Sequence, residues 1–321
     1  MATHRETSVS AVSGGLEWPE DPAPNGYEKE NPYTQNIADA FAYARAEAES
    51  TDGWTTIGTN AGVLMEKKNM PGDSSAIPLV RGRGIIKGVK PYELLPVVAS
   101  LGTRSQWDAR YQEGHTLVRY SRKSFKFYSI QKGAFLVWPR DFVGVRGAVY
   151  SEDGTIEVVQ TSVPNDEKTP DVSGKVRGTL TAAGWILRPS GDDTDVTYLV
   201  KVNPNGSIPT VFVKKVVTEI PLCVVNIAEF IRTVGLSISS VVRMETYDHD
   251  SKTFTVALIG VAGDAFDIAV DTKTMYKRGY VTILTDGVSG VTLSGNGSAK
   301  LHVEIGEQAD GVKFSIIVKK A

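Results

Sequence analysis

Residues 139–146 read Pro-Arg-Asp-Phe-Val-Gly-Val-Arg, a proline followed by a run that alternates apolar and charged or small residues before continuing into Gly147-Ala148-Val149-Tyr150. The alternation predicts a strand over 142–150, and Pro139 suits its start because it has no N–H to give to a ladder. Working outward, Gly53-Trp54 and Arg104-Ser105-Gln106-Trp107-Asp108 lie upstream. Gly184-Trp185-Ile186-Leu187-Arg188-Pro189 and Asn203-Pro204-Asn205-Gly206-Ser207-Ile208-Pro209 lie downstream. The last of these leads into the longest helical pattern of the chain. Val213, Val217, Ile220, Val224, Ala228 and Ile231 recur every three or four residues, which predicts one apolar stripe on a helix over 208–234. Pro221 removes a backbone donor from that helix, so a kink or break is expected there.

Taken in this order, the five blocks resemble the START lipid-transfer family over about residues 35–235. The resemblance implies an α+β helix-grip fold, in which a curved antiparallel sheet is gripped by a long carboxyl-terminal helix, and a function in binding or moving one lipid without covalent chemistry. In the branch of that family that carries phosphatidylcholine, the motif Arg-x-x-Trp-Asp engages the phosphocholine head. By resemblance the matching residues here are Arg104, Trp107 and Asp108, with Tyr128 and Phe142 at the positions of aromatic cage residues. Arg146 matches the family's buried strand arginine, whose glutamate partner in steroidogenic members is matched here by Phe127. Val217, Pro221 and Val224 of the long helix complete the expected lipid-binding set. The resemblance also implies a gate between the helix around Pro221 and the turns 151–155 and 163–174.

The residue chemistry agrees with the resemblance without requiring it. A guanidinium presents a rigid fork of donors suited to phosphate, and an aspartate offsets a quaternary ammonium. A plain ion pair beside a core tryptophan would leave the same trace in sequence, and Tyr128 and Phe142 read equally well as core aromatics. Burying a sixteen-carbon chain is worth on the order of 13 kcal/mol at about 0.8 kcal/mol per methylene, so an apolar tunnel holds a lipid and the head-group end must select it. A glycerophospholipid is the expected ligand, and a sterol is the alternative.

Elsewhere the pattern predicts a disordered arm over 1–34, rich in Glu, Pro, Ser, Gly and Asn, and a first helix carrying Ile37, Phe41, Ala44 and Ala48. Strands are expected over 54–57, 62–67 and 77–86. A helix starting at Pro91 and a second short helix carrying Arg104 to Tyr111 follow. Beyond Gly114 further strands are expected over 115–120, 124–131, 142–150, 156–161, 174–180, 185–189 and 195–202, alternating with turn-rich spacers such as Ser151-Glu152-Asp153-Gly154. Residues 236–321 show short alternating runs, such as Phe254-Val256-Leu258 and Leu301-Val303-Ile305, and read as a small all-β sandwich of unknown role, a possible platform for a protein partner through which a lipid sensor could act.

Bulk properties exclude other classes. With 35 basic and 37 acidic residues in 321, the net charge of −2 gives no footprint for nucleic acid, and any membrane contact is expected to be local and transient. The one cysteine, Cys223, and the absence of a signal-like amino terminus point to the cytoplasm. The four histidines are scattered, Asp248-His249-Asp250 reads as a hairpin turn, and no metal or cofactor motif stands out, so no enzyme is expected.

Overall fold

The computed structural model describes residues 30–231 and 241–321, apart from 74, 76, 100, 102–103, 122, 135–136, 167–168, 249–250, 261, 264, 271, 273–275 and 286. The first 29 residues of the expected arm and the expected junction near 235 lie outside the described residues, whereas Thr34, at the arm's end, already belongs to a helix. The described residues form two compact units, one reaching through the long helix and one beginning at Val241.

The first unit runs α1 (Thr34–Glu49), β1 (Trp54–Asn60), β2 (Val63–Lys68), β3 (Leu79–Ile86), α2 (Pro91–Ala99), β4 (Tyr111–Arg119), β5 (Ser124–Gln131), β6 (Arg140–Tyr150), β7 (Ile156–Ser162), β8 (Val176–Arg177), β9 (Thr179–Ser190), β10 (Asp193–Asn203) and α3 (Thr210–Ile231). Its strands form one sheet in the order β1-β2-β3-β10-β9-β7-β6-β5-β4, antiparallel throughout, with β8 adding a short parallel pairing to β6. Sheet and carboxyl-terminal helix together are the α+β helix-grip arrangement expected from the sequence.

The two faces of this sheet are covered differently. On the outer face Ala40, Phe41, Ala44 and Ala48 of α1 pack with Leu79, Val159, Ile186 and Leu199. Gly184 seats the helix, since a Cβ at that position would lie 2.8 Å from the Cβ of Ala44. Gly184, just ahead of the strand expected over 185–189, sits inside the longer β9, and its missing side chain serves close approach. Arg81, on the same face of β3 and 1 % exposed, closes the carboxyl end of α1. Its Nη1 donates to the carbonyls of Glu47 at 2.7 Å and Ser50 at 2.8 Å, its Nε donates to Glu66 at 2.7 Å, and it stacks 3.9 Å above the Trp54 ring. A cation at these carbonyls also meets the negative end of the helix dipole.

The inner face carries α3. Gly82, next to Arg81 but pointing inward, lets the helix backbone come so close that a Cβ there would lie 2.6 Å from the Pro221 carbonyl oxygen. The break expected at Pro221 does not occur, because the helix continues unbroken to Ile231. The short helix expected over 104–111 is also corrected. Only a 3-10 turn over Arg104–Gln106 forms, and Tyr111 already begins β4, within which Gly114 sits beside a bulge.

The second unit holds a four-stranded sheet, ordered β11 (Val241–Asp248), β12 (Thr253–Ile259), β17 (Lys313–Lys320) and β14 (Tyr280–Leu284), and a three-stranded sheet, ordered β13 (Ala265–Ala269), β16 (Lys300–Ile305) and β15 (Val291–Ser294). Phe314, Ile316 and Val318 alternate as fully buried residues in one sheet, and Leu301, Val303 and Ile305 are buried at alternate positions in the other. One face of each sheet is thus apolar.

Candidate functional site

Between the inner face of the sheet and α3 lies a cavity. Alternation decides who faces it: Phe127, Ser129 and Gln131 of β5, Arg140 and Phe142 of β6, Gln160 of β7, and Tyr198, Val200 and Val202 of β10. The helix contributes Phe212, Val216, Ile220 and Cys223, spaced four, four and three apart. The turn before β4 contributes Arg104, Asp108 and Arg110, and the β5–β6 connection contributes Lys132, Val137 and Trp138. The cavity measures about 110 Å³. Sites that enclose a drug-sized ligand span about 300–1,000 Å³, so the cavity in this conformation is smaller than a whole lipid needs.

Its polar end is built on the 104–110 turn. Arg104 Nε donates to Asp108 Oδ2 at 2.9 Å and its Nη1 to Gln160 Oε1 at 3.1 Å. The other carboxylate oxygen of Asp108 accepts the Arg110 backbone N–H at 3.0 Å. Burial opposes the charge on Arg104, and the Asp108 carboxylate more than restores it, so the guanidinium pKa lies above its ordinary value. Burial keeps Tyr198 and the Cys223 thiol protonated, raising both. Tyr198 stacks on Trp185 at 3.8 Å, and Trp107 meets Trp185 edge-on at 5.8 Å, which makes an aromatic floor beneath the ion pair.

The turn is also tied to the helix. Asn226 Nδ2 donates to the Trp107 carbonyl at 2.8 Å, Arg110 Nε lies 2.9 Å from Glu219 Oε2, and the Arg110 guanidinium stands 4.9 Å above the Phe212 ring.

Of the residues expected at the site, Arg104, Asp108 and Phe142 line the cavity together. Trp107 is buried behind the lining in the aromatic floor. Tyr128 is turned to the opposite face, packed against Val143, Val145 and Val163, where burial and Asp141 raise its hydroxyl pKa. Arg146 shares the inward parity of β6 but lies beyond the lining, its guanidinium 5.1 Å from the Phe125 ring. Phe125, not Phe127, is its cross-strand neighbour on β5, and Gln160 is its neighbour on β7. Val217, Pro221 and Val224 are buried residues of α3 outside the lining, and Pro221 sits where the helix meets Gly82. The loops 151–155 and 163–174 contribute nothing to the lining among the described residues, whereas the β5–β6 connection and the approach to α3 do.

Sequence reasoning passed over Arg110, Gln160, Tyr198 and Cys223. Cys223 follows Ile220 by three and could have been found by extending the helical stripe. Gln160 and Arg110 carried no local signal.

A family model described as the START domain matches residues 48–233, which is 186 of 321 positions and more than half of the chain. Among solved structures, human StAR-related lipid transfer protein 5 is similar at 21% identity with a TM-score of 0.56, covering 62% of this chain and 98% of that one. Human STARD10 is similar at 20% identity with a TM-score of 0.55, covering 64% of this chain and 81% of that one. These likenesses concern the fold. No curated protein sequence matches the chain significantly.

Proposed function

Because the chain belongs to the START family, we propose that its first unit binds one lipid, a glycerophospholipid, between the sheet and α3 and carries it without covalent chemistry. The observation that supports this reading most is the pairing of an apolar helix stripe with one polar end, where the buried guanidinium of Arg104 is held by Asp108 and Gln160. Arg104 has five N–H donors and uses two of them in these bonds, so a phosphate oxygen can be accepted without dismantling the pair.

A transient membrane contact at the cavity rim belongs to the same reading. Trp138 is 62% exposed although it borders the cavity, and Val211 at the first turn of α3 is 80% exposed. Indole and aliphatic groups standing free beside a lipid cavity suit the membrane interface. No helix among the described residues is long and apolar enough to cross a membrane. In this reading the protein works in the cytoplasm, and the two sheets of the second unit form the halves of a sandwich.

A sterol is the second reading. It is favoured by the charge balance at the polar end, since Arg104 and Asp108 cancel and Gln160 or Ser129 could meet a lone hydroxyl. Native mass spectrometry after incubation with vesicles containing phospholipids, ceramide and cholesterol separates the two. A one-to-one phospholipid adduct that is lost in Arg104→Ala supports the phospholipid. Retention of cholesterol alone sinks it.

A further inference from the structure

Arg110 is the other guanidinium that the 104–110 turn brings to the cavity wall, and its setting differs from that of Arg104. Its backbone is fixed at both ends, since its N–H donates to Asp108 and its carbonyl accepts the Lys132 N–H at 2.7 Å. Its side chain is not fixed in this way. Nε lies 2.9 Å from Glu219 Oε2, yet neither atom makes an aligned hydrogen bond, and Nη1 is buried with no hydrogen-bond partner among the described residues. A partly buried guanidinium whose buried Nε and Nη1 make charge contact but no hydrogen bond is poised to take a better acceptor. Glu219 has somewhere else to go. Lys215, one helical turn earlier on α3 and exposed, already has its Nζ 3.6 Å from Glu219 Oε1.

The charges then set the occupant. Arg104 and Arg110 are each paired with a carboxylate, Asp108 and Glu219, so a phosphate that takes a donor from either guanidinium competes with that carboxylate. Asp108 is held on both oxygens; Glu219 is held on one side by a misaligned contact and on the other by a solvated lysine.

We infer that Arg110 is a specificity-determining residue for phosphate-bearing lipids: its Nη1 donates to the lipid phosphate, which displaces Glu219 toward Lys215 and loosens the hold of the 104–110 turn on α3. This rests on the phospholipid reading above. A lipid of the same chains without phosphate has nothing to put in place of Glu219 and leaves the helix latched. Recognition of the head is thereby joined to the loosening of α3.

The test is a competition between phosphatidylcholine and diacylglycerol with matched acyl chains, presented in mixed vesicles and read as the adduct ratio by native mass spectrometry on the full chain. Arg110→Gln is expected to lower the phosphatidylcholine-to-diacylglycerol ratio about tenfold, the order of losing a charge-assisted donor. Glu219→Gln, which removes the competing charge, is expected to raise it about threefold. Unchanged ratios in both variants, or equal loss of both lipids in Arg110→Gln, overturn the role of Arg110 while leaving the phospholipid reading standing. If Arg110→Gln fails to fold by circular dichroism, the Glu219→Gln ratio decides alone, and a ratio unchanged or lowered overturns the inference. Wild-type protein that takes neither lipid, or takes cholesterol instead, removes the phospholipid reading and this inference together.

Discussion

The two faces of the ten-stranded sheet are made of the same strands and each is covered by a helix, α1 with small apolar residues and α3 with large ones, yet one becomes a packed core and the other a cavity. On the outer face α1 presents Ala40, Ala44 and Ala48, and Gly184 and Gly147 receive it, so helix and sheet touch along the helix's length. On the inner face α3 touches the sheet closely at Gly82, and elsewhere the large residues Phe212, Val216 and Ile220 share the cavity wall with strand residues that mix bulky side chains such as Phe127, Phe142 and Tyr198 with polar ones such as Ser129 and Gln160. Small residues on both sides bring backbones together; large residues on both sides hold them apart. Close packing is the default of protein interiors, and the gap under α3 lies where bulky side chains of strand and helix meet without small residues to receive them.

Breaking the outer face is expected to have the largest effect. Arg81→Met removes the cation that joins Glu66, Trp54 and the carbonyls ending α1, and the loss is expected to be roughly 3–5 kcal/mol, the range for stripping one partner from a buried ion pair. Urea unfolding of the variant checks it. The same anchor predicts acid sensitivity. Burial pushes the Glu66 carboxyl up, but Arg81 and Arg83 outweigh it and hold its pKa below the ordinary value. A depressed carboxylate contributes stability that is complete above the unfolded-state value and is lost as the pH falls through the folded one. Urea midpoints should therefore be flat from neutral pH to about 5 and decline below it, with a smaller decline in Arg81→Met, which has lost part of that shift.

Filling the inner face should do the opposite of breaking the outer one. Ala183→Leu adds three carbons into the cavity, and stability is expected to change by less than about 1.5 kcal/mol while lipid uptake falls at least about tenfold. A large loss of stability with uptake intact would mean that the inner face is packed like the outer one. The mildest probe is Cys223, the one thiol of the chain, which lines the cavity on α3. Burial raises its pKa well above the ordinary thiol value, so alkylation by iodoacetamide is expected to stay slow through neutral pH and to quicken only in alkali. Lipid loading should slow it further, and equal rates in loaded and unloaded protein would place the occupant elsewhere.

Much of this fold was legible in the chain. The alanine and phenylalanine spacing of α1, the stripe of α3 and the blocks around Trp54, Trp107, Asp141 and Trp185 each carry their own local signal, and together they led to the sheet and its gripping helix. The candidate site was legible in part. Arg104 and Asp108 stand four apart and find each other through a turn although the expected helix is absent, because the Arg104 carbonyl accepts the Asp108 N–H at 2.8 Å and brings the two side chains to one side. Tyr128 was misplaced for a physical reason. In β5 Phe127 and Tyr128 are adjacent aromatics, with Phe125 two positions before the one and Ile130 two positions after the other, so alternation cannot say which of them faces inward. The pairing of Phe127 with Gly144 and of Tyr128 with Val143 decides it.

The sequence by itself determined the class of fold, the helix that closes it and the ion pair at its polar end, since each depends on residues within a few positions of one another or on a motif that travels as a unit. Tertiary structure alone decided which face of each strand lines the cavity, that Gly82 and Gly184 mark the close approaches of two helices, and that Arg110 meets Glu219 across more than a hundred residues of chain. Central strands such as β6 are buried on both faces and have lost the period-two signal that would orient them. An ion pair between distant segments leaves no pattern in either one, because its energy exists only where the folded backbone brings the two charges together.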